Sequence, residues 1–368
     1  MRILVTGHDG YVGTLMMDAL RGAGHEAVGI DSFFFQDCGL RRPPHGRSSV
    51  GVRADLRDLP PAAFAGFHAV VHLAALSNDP LGSLNPELTH AINYQASVLL
   101  ASYAKSAGVS RFVFASSCSL YGTAGSDHVA EDAPLRPLTP YGVSKVEVER
   151  ALTAMADDSF SPTFLRAATA YGVSPKLRGD VVVNNLVGSA VTRGEVRLLS
   201  DGRSWRPLLH VEDMCSAFLA VLEAPRQLVH AEAFNLAPDG ENYQIREVAE
   251  MVAESIPGCR VTFAQGGGDP DPRSYRVDGS KITSILGSFR PRWTVLEGIR
   301  QVFAALSRTD LSEEDFFGPR FMRIDHLRSL MARGLLDAGL RWNGRTREDE
   351  KTAGWNEADW TSAPSFPG

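Results

Sequence analysis

Ile3-Leu4-Val5-Thr6-Gly7-His8-Asp9-Gly10-Tyr11-Val12-Gly13 is the stretch that decides the fold. A short apolar run meets three glycines at every third position, and a helical pattern follows from Thr14 to Gly22. The reading is strand, tight turn, helix. A pyrophosphate can rest on amide N–H groups at a helix N-terminus only where no side chain blocks its approach. Gly7, Gly10 and Gly13, with the amides of Tyr11 and Val12, meet that need, and the strand–turn–helix context gives the spacing its meaning.

Working outward, Ala27-Val28-Gly29-Ile30 reads as a second strand that closes on Asp31, 18 residues after Gly13. A carboxylate there accepts hydrogen bonds from ribose hydroxyls and repels a 2′-phosphate, which favours NAD over NADP. Gly51-Val52-Arg53 leads to Asp55-Leu56, expected to border the adenine, although loop capping explains Asp55 nearly as well. Ala69 to Leu73 and Arg111 to Ala115 read as further buried strands, with a long helix from Asn93 to Ala107 between them. Short continuous apolar strands alternating with helices predict an α/β fold with a doubly wound parallel sheet, its ligands at the carboxyl ends of the strands.

After about residue 170 the rhythm becomes irregular, with helices near 172–194, 211–222, 247–255 and 296–306. Residues 1–170 are therefore assigned to the Rossmann domain, with return segments near 205–235. Residues 171–204 and 236–345 are assigned to a smaller substrate-binding lobe, and 346–368, anchored only by Trp355 and Trp360, to a polar tail.

Ser116-Ser117-Cys118-Ser119 ends the strand at 111–115, and Tyr141-Gly142-Val143-Ser144-Lys145 opens a helical stretch. Tyr141 and Lys145 share a helix face. An ammonium near a phenol stabilises the phenolate and lowers a pKa that is ordinarily about 10. Such a tyrosine takes a proton from a sugar hydroxyl while hydride leaves the same carbon, and Ser117 orients that oxygen.

Composition bounds the alternatives. The chain has 368 residues, 44% apolar and 22% charged, with a net charge of -6. Nucleic-acid binders usually carry a basic excess; Arg41-Arg42 reads as a solvated loop. Cys38, Cys118, Cys215 and Cys259 are scattered without CxxC spacing, so neither a metal site nor a disulfide framework is expected, and reduced thiols fit a cytoplasmic protein. No signal-peptide pattern and no apolar run of membrane-spanning length is seen, so no membrane is expected as a partner.

Taken together, Gly7/Gly10/Gly13, His72-Leu73-Ala74-Ala75, Asn93, Ser117, Tyr141/Lys145 and Arg206 to Asp213 resemble the extended short-chain dehydrogenase/reductases of the NAD-dependent epimerase/dehydratase group, over roughly residues 1–305. The resemblance implies that Leu73, Ala74, Ala75 and Asn93 are cofactor-binding, Asn93 also bracing the active-site helix. It implies that Ser117, Tyr141 and Lys145 are catalytic, Tyr141 and Lys145 also touching NAD. Ser77, Asn78, Ser117, Cys118, Ser119, Thr169, Asn184, Asn185, Arg206 and Arg273 are the implied substrate contacts, the two arginines converging on a diphosphate. Asp79, after Asn78, fits a sugar contact or a turn equally. The resemblance also implies a homodimer through the helices beginning near Asn93 and Tyr141, with Leu99, Leu100, Tyr103, Val146, Val148 and Leu152 as candidate contacts.

The expected reaction is NAD-dependent epimerisation of an NDP-hexose, at C4 through a 4-keto sugar. A 4-keto-sugar reductase or dehydrogenase is the alternative, and a non-catalytic NAD-binding protein is the reading of a different kind. Dehydration in the manner of the 4,6-dehydratases needs an Asp-Glu pair after the catalytic hydroxyl. Cys118-Ser119 stand there instead.

Overall fold

The computed structural model describes residues 1–40, 51–263 and 273–344, with the backbone alone at 124–127. Arg41-Arg42, Asp271-Pro272 and the tail at 346–368 lie outside the described residues.

Seven parallel strands form the central sheet: β1 (Arg2–Thr6), β2 (Glu26–Asp31), β3 (Gly51–Arg53), β4 (Ala69–His72), β5 (Arg111–Ser117), β6 (Ser161–Ala167) and β7 (Ala233–Leu236). Their spatial order is β7-β6-β5-β4-β1-β2-β3. The strands read as unbroken apolar runs because both faces of the sheet are covered. Ile3 and Val5 point to one core, shared with Met16, Leu20 and Phe218; Leu4 points to the other, shared with Leu100, Phe112 and Leu152. The first face is covered by α1 (Gly13–Gly22) and the second by α2 (Ala96–Ser106) and α3 (Pro140–Met155). A further core forms around α4 (Val182–Arg193), with Tyr171, Val248, Ile299 and Phe316.

Between residues 212 and 237 the chain leaves that further core. Helix α5 (Val211–Glu223) adds Phe218 and Val221 to the first core, and β7 pairs with β6 in the main sheet. Later still, α6 (Arg323–Ala332) packs Leu327 and Leu330 against Phe34, Leu76 and Leu81.

The predicted helix from Asn93 is a π-helical turn, His90–Gln95, running into α2. Such turns are rare and concentrate at functional sites. Here the turn leaves Asn93 buried and facing the loop after β4.

Among the described residues, no helix is long and apolar enough to cross a membrane. Among the same described residues, no group of three or more His, Cys, Asp or Glu is placed to hold a metal. The four cysteines are unpaired.

Candidate active site

Strand β1 has β2 on one side and β4 on the other, so the connections leave in opposite directions and open a crevice at the carboxyl ends. A cavity of about 480 Å³ occupies that crevice. A second hollow of about 660 Å³, near Pro238 and Trp293, lies away from the glycine-rich turn and Tyr141.

The turn after β1 is a cradle that only glycine allows. Gly7 has φ +75°, and a Cβ there would stand 2.8 Å from the Ala74 nitrogen. A Cβ on Gly13 would stand 2.0 Å from the Gly7 carbonyl oxygen. Gly7, Gly10, Tyr11, Val12 and Gly13 all line the cavity, where α1 begins with its free amides. The Tyr11 hydroxyl donates to the Gly172 carbonyl at 2.7 Å.

Asp31, at the end of β2, lines the next stretch of wall and accepts from the amides of Asp9 (3.0 Å) and Phe33 (2.8 Å). Burial holds its carboxyl above the usual range. Asp55 and Leu56 line the same end, but the Asp55 carboxylate is gripped by Arg57 at 2.6 Å and by Arg341 at 3.2 Å. Burial works to raise its pKa, and its hydrogen bonds and the two guanidiniums overcome that and hold it below the usual range. Asp55 thus also ties down the chain's last described segment, which places the Trp342 indole N–H on the Ser32 carbonyl at 2.8 Å.

From β4, Leu73, Ala74 and Ala75 line the cavity, while His72 does not. Both of its ring nitrogens are occupied, by Thr6 at 2.6 Å and Ser97 at 2.8 Å. Burial pulls its pKa down to about 3, so it stays neutral. Asn93, expected among the cofactor contacts, is also behind the wall, because the loop after β4 and Ser144 take up its carboxamide. Its carboxamide accepts from the Leu76 amide at 2.8 Å and donates to the Leu76 carbonyl and to the Ser144 hydroxyl of α3.

The Ser117, Tyr141 and Lys145 side chains meet at the cavity wall. Ser117 ends β5 and its hydroxyl accepts from the Ser119 amide at 3.2 Å. Thr139 caps α3 by accepting from the Gly142 amide at 3.1 Å, and Pro140 starts the helix with the φ it needs. Tyr141 then stands in the first turn and Lys145 one turn on. The Tyr141 hydroxyl is hydrogen-bonded to Ser117. Spacing alone predicts a phenol lowered by the lysine. Burial dominates instead and pushes Tyr141 up to about 12, with Asp79 adding to it and Ser117, Arg178 and Arg273 opposing. Burial pulls Lys145 down to about 7, which Glu149 partly counters. Its ammonium donates to the Ala115 carbonyl at 2.7 Å and sits 5.4 Å from the Tyr141 ring centroid. Desolvation thus pushes the two groups' pKa values away from their ordinary charged ranges in opposite senses.

Three implied substrate contacts face elsewhere. The Cys118 thiol is buried and donates to the Arg166 carbonyl at 3.1 Å, because the turn after Ser117 rolls it into the core. Asn184 accepts from the Gly172 amide at 3.0 Å and donates to the Arg178 carbonyl at 3.0 Å. Asn185 donates to the Gly179 carbonyl at 2.7 Å. The loop before α4 folds back over the helix and consumes both carboxamides, so Val181 and Val182 line the cavity instead.

Ser77, Asn78, Ser119, Thr169, Arg206 and Arg273 do line it. Asn78 caps the short helix Asp79–Gly82 and also donates to Asp180 at 3.0 Å. Asp79 pairs with Arg273 and accepts from Thr139 at 2.5 Å. Arg206 donates to the Arg273 carbonyl at 2.5 Å, so the two arginines stand side by side. The stretch that follows is structural: His210 caps α5, and Asp213 accepts from the amides of Arg292 and Trp293.

Sequence reasoning missed Arg178, Asp180, Tyr275 and Arg323, all of which line the cavity. Lys176-Leu177-Arg178-Gly179-Asp180 carries dense charge directly before a helix, the one local signal available. Nothing local marks Arg323.

The residues present fit a dinucleotide: a side-chain-free cradle at a helix N-terminus, a carboxylate at the end of β2, and a buried lysine beside the phenol. Comparison with known proteins agrees. The chain matches the NAD dependent epimerase/dehydratase family over residues 3–237. It is 28% identical over 329 residues to UDP-glucose 4-epimerase of Bacillus subtilis (strain 168), covering 83% of this chain and 95% of the relative. It is 26% identical over 324 residues to UDP-glucuronic acid decarboxylase 1 of Arabidopsis thaliana, covering 86% and 72%. Among solved structures, MoeE5 in complex with UDP-glucuronic acid and NAD superposes with a TM-score of 0.72 at 30% identity, covering 84% of this chain and 99% of that one. The chain therefore belongs to the NAD dependent epimerase/dehydratase family and is an NAD-dependent enzyme of the short-chain dehydrogenase/reductase type on a Rossmann fold.

Proposed function

We propose that the chain is an NDP-hexose epimerase acting at C4 through a 4-keto sugar. The observation that carries this reading is the juxtaposition, in one cavity, of the glycine cradle, the Ser117–Tyr141–Lys145 cluster and the Arg206–Arg273 pair. Relatives named as UDP-glucose 4-epimerases support it. Bound NAD supplies the acceptor and donor of the C4 hydride. Tyr141 takes the C4 hydroxyl proton and later returns it, and Ser117 holds the same oxygen in line. Lys145, when charged, favours the phenolate and would hold the nicotinamide ribose of bound NAD. Arg206 and Arg273 donate to the substrate diphosphate, Arg273 exchanging part of its grip on Asp79 for it. Dehydration is disfavoured, because burial raises the Cys118 thiol and turns it away, and Ser119 is no acid.

The enzyme works as a homodimer in the cytoplasm. Leu100, Val146, Val148 and Leu152 are not part of that interface, since they are buried within the chain's own cores, and Tyr103 packs on Phe64. Leu99 on α2 and Val143 on α3, 42% and 40% exposed, are the apolar residues these helices leave outside.

The test is to supply an NDP-hexose without added dinucleotide. Interconversion of two C4 epimers with no net NADH is the expected result, abolished by Tyr141→Phe. Stoichiometric NADH release, or a requirement for added reduced dinucleotide with a 4-keto sugar, would replace the proposal with a dehydrogenase or a reductase.

A further inference from the structure

One wall of the cavity carries a cationic group that the proposed reaction does not use. Arg178 and Arg323 are 7% and 2% exposed, and both line the cavity. Arg178 forks onto Asp180 at 2.8 and 2.9 Å and donates to the Ser77 hydroxyl at 3.1 Å. Lys176, beside them, holds Asp9 at 2.9 Å. Three cations thus stand with two carboxylates, and Arg323 feels Asp180 only as a neighbour that Arg178 already grips. The Arg323 Nη2 donates to the Lys176 carbonyl at 2.7 Å, and its guanidinium lies 4.7 Å from the Phe35 ring centroid. The Cys38 thiol, a weak partner, stands beside the guanidinium, and Nη1 is buried with no hydrogen bond of good geometry among the described residues. A buried guanidinium left partly unsatisfied is costly unless a ligand completes it.

We propose that Arg323, with Arg178, is the side-chain counter-ion of the dinucleotide pyrophosphate, delivered by a C-terminal segment that lies beyond the family match. The cluster is built onto the glycine-rich turn itself. Lys176 reaches Asp9 of that turn, Ser174 donates to the Tyr11 carbonyl at 2.7 Å, and Asn184 ties the Arg178 carbonyl to the Tyr11 hydroxyl. The turn offers only backbone N–H groups and the partial charge of a helix end, whereas a pyrophosphate carries two full negative charges. Two guanidiniums facing it, partly offset by Asp180, supply the missing charge and the fork geometry that phosphate oxygens accept. Arg206 and Arg273 come from other segments, Arg273 pairing with Asp79 and Arg206 donating to the Arg273 carbonyl, so the cavity holds two separate arginine pairs for two separate diphosphates. Arg323 is held in place by the docking of α6 through Leu327 and Leu330.

The inference rests on NAD binding and not on epimerisation, so its readout is the dinucleotide. Arg323→Met and Arg323→Lys are stripped of dinucleotide, and their melting is followed with and without saturating NAD⁺, alongside calorimetric NAD⁺ affinity. Stripped Arg323→Met should melt at or above the stripped wild type, because an incompletely paired buried charge is gone. Its NAD⁺ affinity should fall about 10- to 100-fold, the worth of a charge-assisted hydrogen bond, and its NAD⁺-induced rise in Tm should shrink accordingly. Arg323→Lys should recover part of that rise. Arg273→Met should raise KM for the nucleotide sugar with NAD⁺ affinity unchanged. Wild-type NAD⁺ affinity in Arg323→Met would overturn the proposal, and so would a change confined to the KM for the nucleotide sugar, which would assign Arg323 to a substrate anion.

Discussion

Replacing Lys145 by methionine should stabilise the dinucleotide-free protein while destroying its activity. The ammonium is almost wholly buried, and its one hydrogen bond is to the Ala115 carbonyl at 2.7 Å. Burial takes its pKa from 10.5 to about 7. Between those values the unfolded chain holds a proton that the folded protein has released, so stability rises with pH across that window. Below pH about 7 both states are charged, and the folded state bears the whole cost. A shift of roughly 3.5 units at 1.36 kcal/mol each is about 5 kcal/mol, an upper bound for a group this buried. Methionine removes that cost and forfeits a hydrogen bond worth about 1 kcal/mol, leaving the Ala115 carbonyl short of a partner at about 1–3 kcal/mol. The net expectation is a gain of about 1–3 kcal/mol near pH 6 that disappears by about pH 10. Denaturant midpoints of stripped wild type and Lys145→Met at several pH values measure it directly. A variant no more stable than wild type near pH 6, or a gain that does not shrink as pH rises, would refute the reasoning.

Three further outcomes follow from the same structure. Asn93→Leu leaves the Leu76 amide and carbonyl without their side-chain partner and should cost about 2–4 kcal/mol in a denaturant titration, while lowering kcat through the loosened loop after β4. Glu149→Ala strips Arg166 of its buried carboxylate, held at 2.7 Å, and should cost about 3–5 kcal/mol; Glu149→Gln, which keeps a hydrogen-bonding oxygen, should cost less by the same titration. Leu99→Glu combined with Val143→Glu should convert a dimer to a monomer by light scattering with little change in folding, since both positions are exposed; a mass that stays dimeric would move the interface elsewhere.

Much of this protein is legible in its sequence because it is local. The buried strands declare themselves as apolar runs, and Gly7, Gly10 and Gly13 can be read without coordinates because their role is to lack a side chain between a strand and a helix. Ser117, Tyr141 and Lys145 are equally legible: a strand end and a helical i, i+4 spacing place them within a few ångströms of each other on a doubly wound sheet. What the tertiary structure decided is where side chains point and what water can reach. Asn184, Asn185 and Cys118 stand beside the cavity in sequence but turn into the protein, because the folded-back loop and the core offered partners for their polar atoms. The phenol of Tyr141 stays high although a lysine stands one turn away, because burial of both groups outweighs their spacing. Arg178 and Arg323 are widely separated along the chain, and only the docking of α6 over the loop after β2 brings them to one wall. Long-range charge pairing leaves no periodic trace in a sequence, so that half of the site emerged only when the chain was folded.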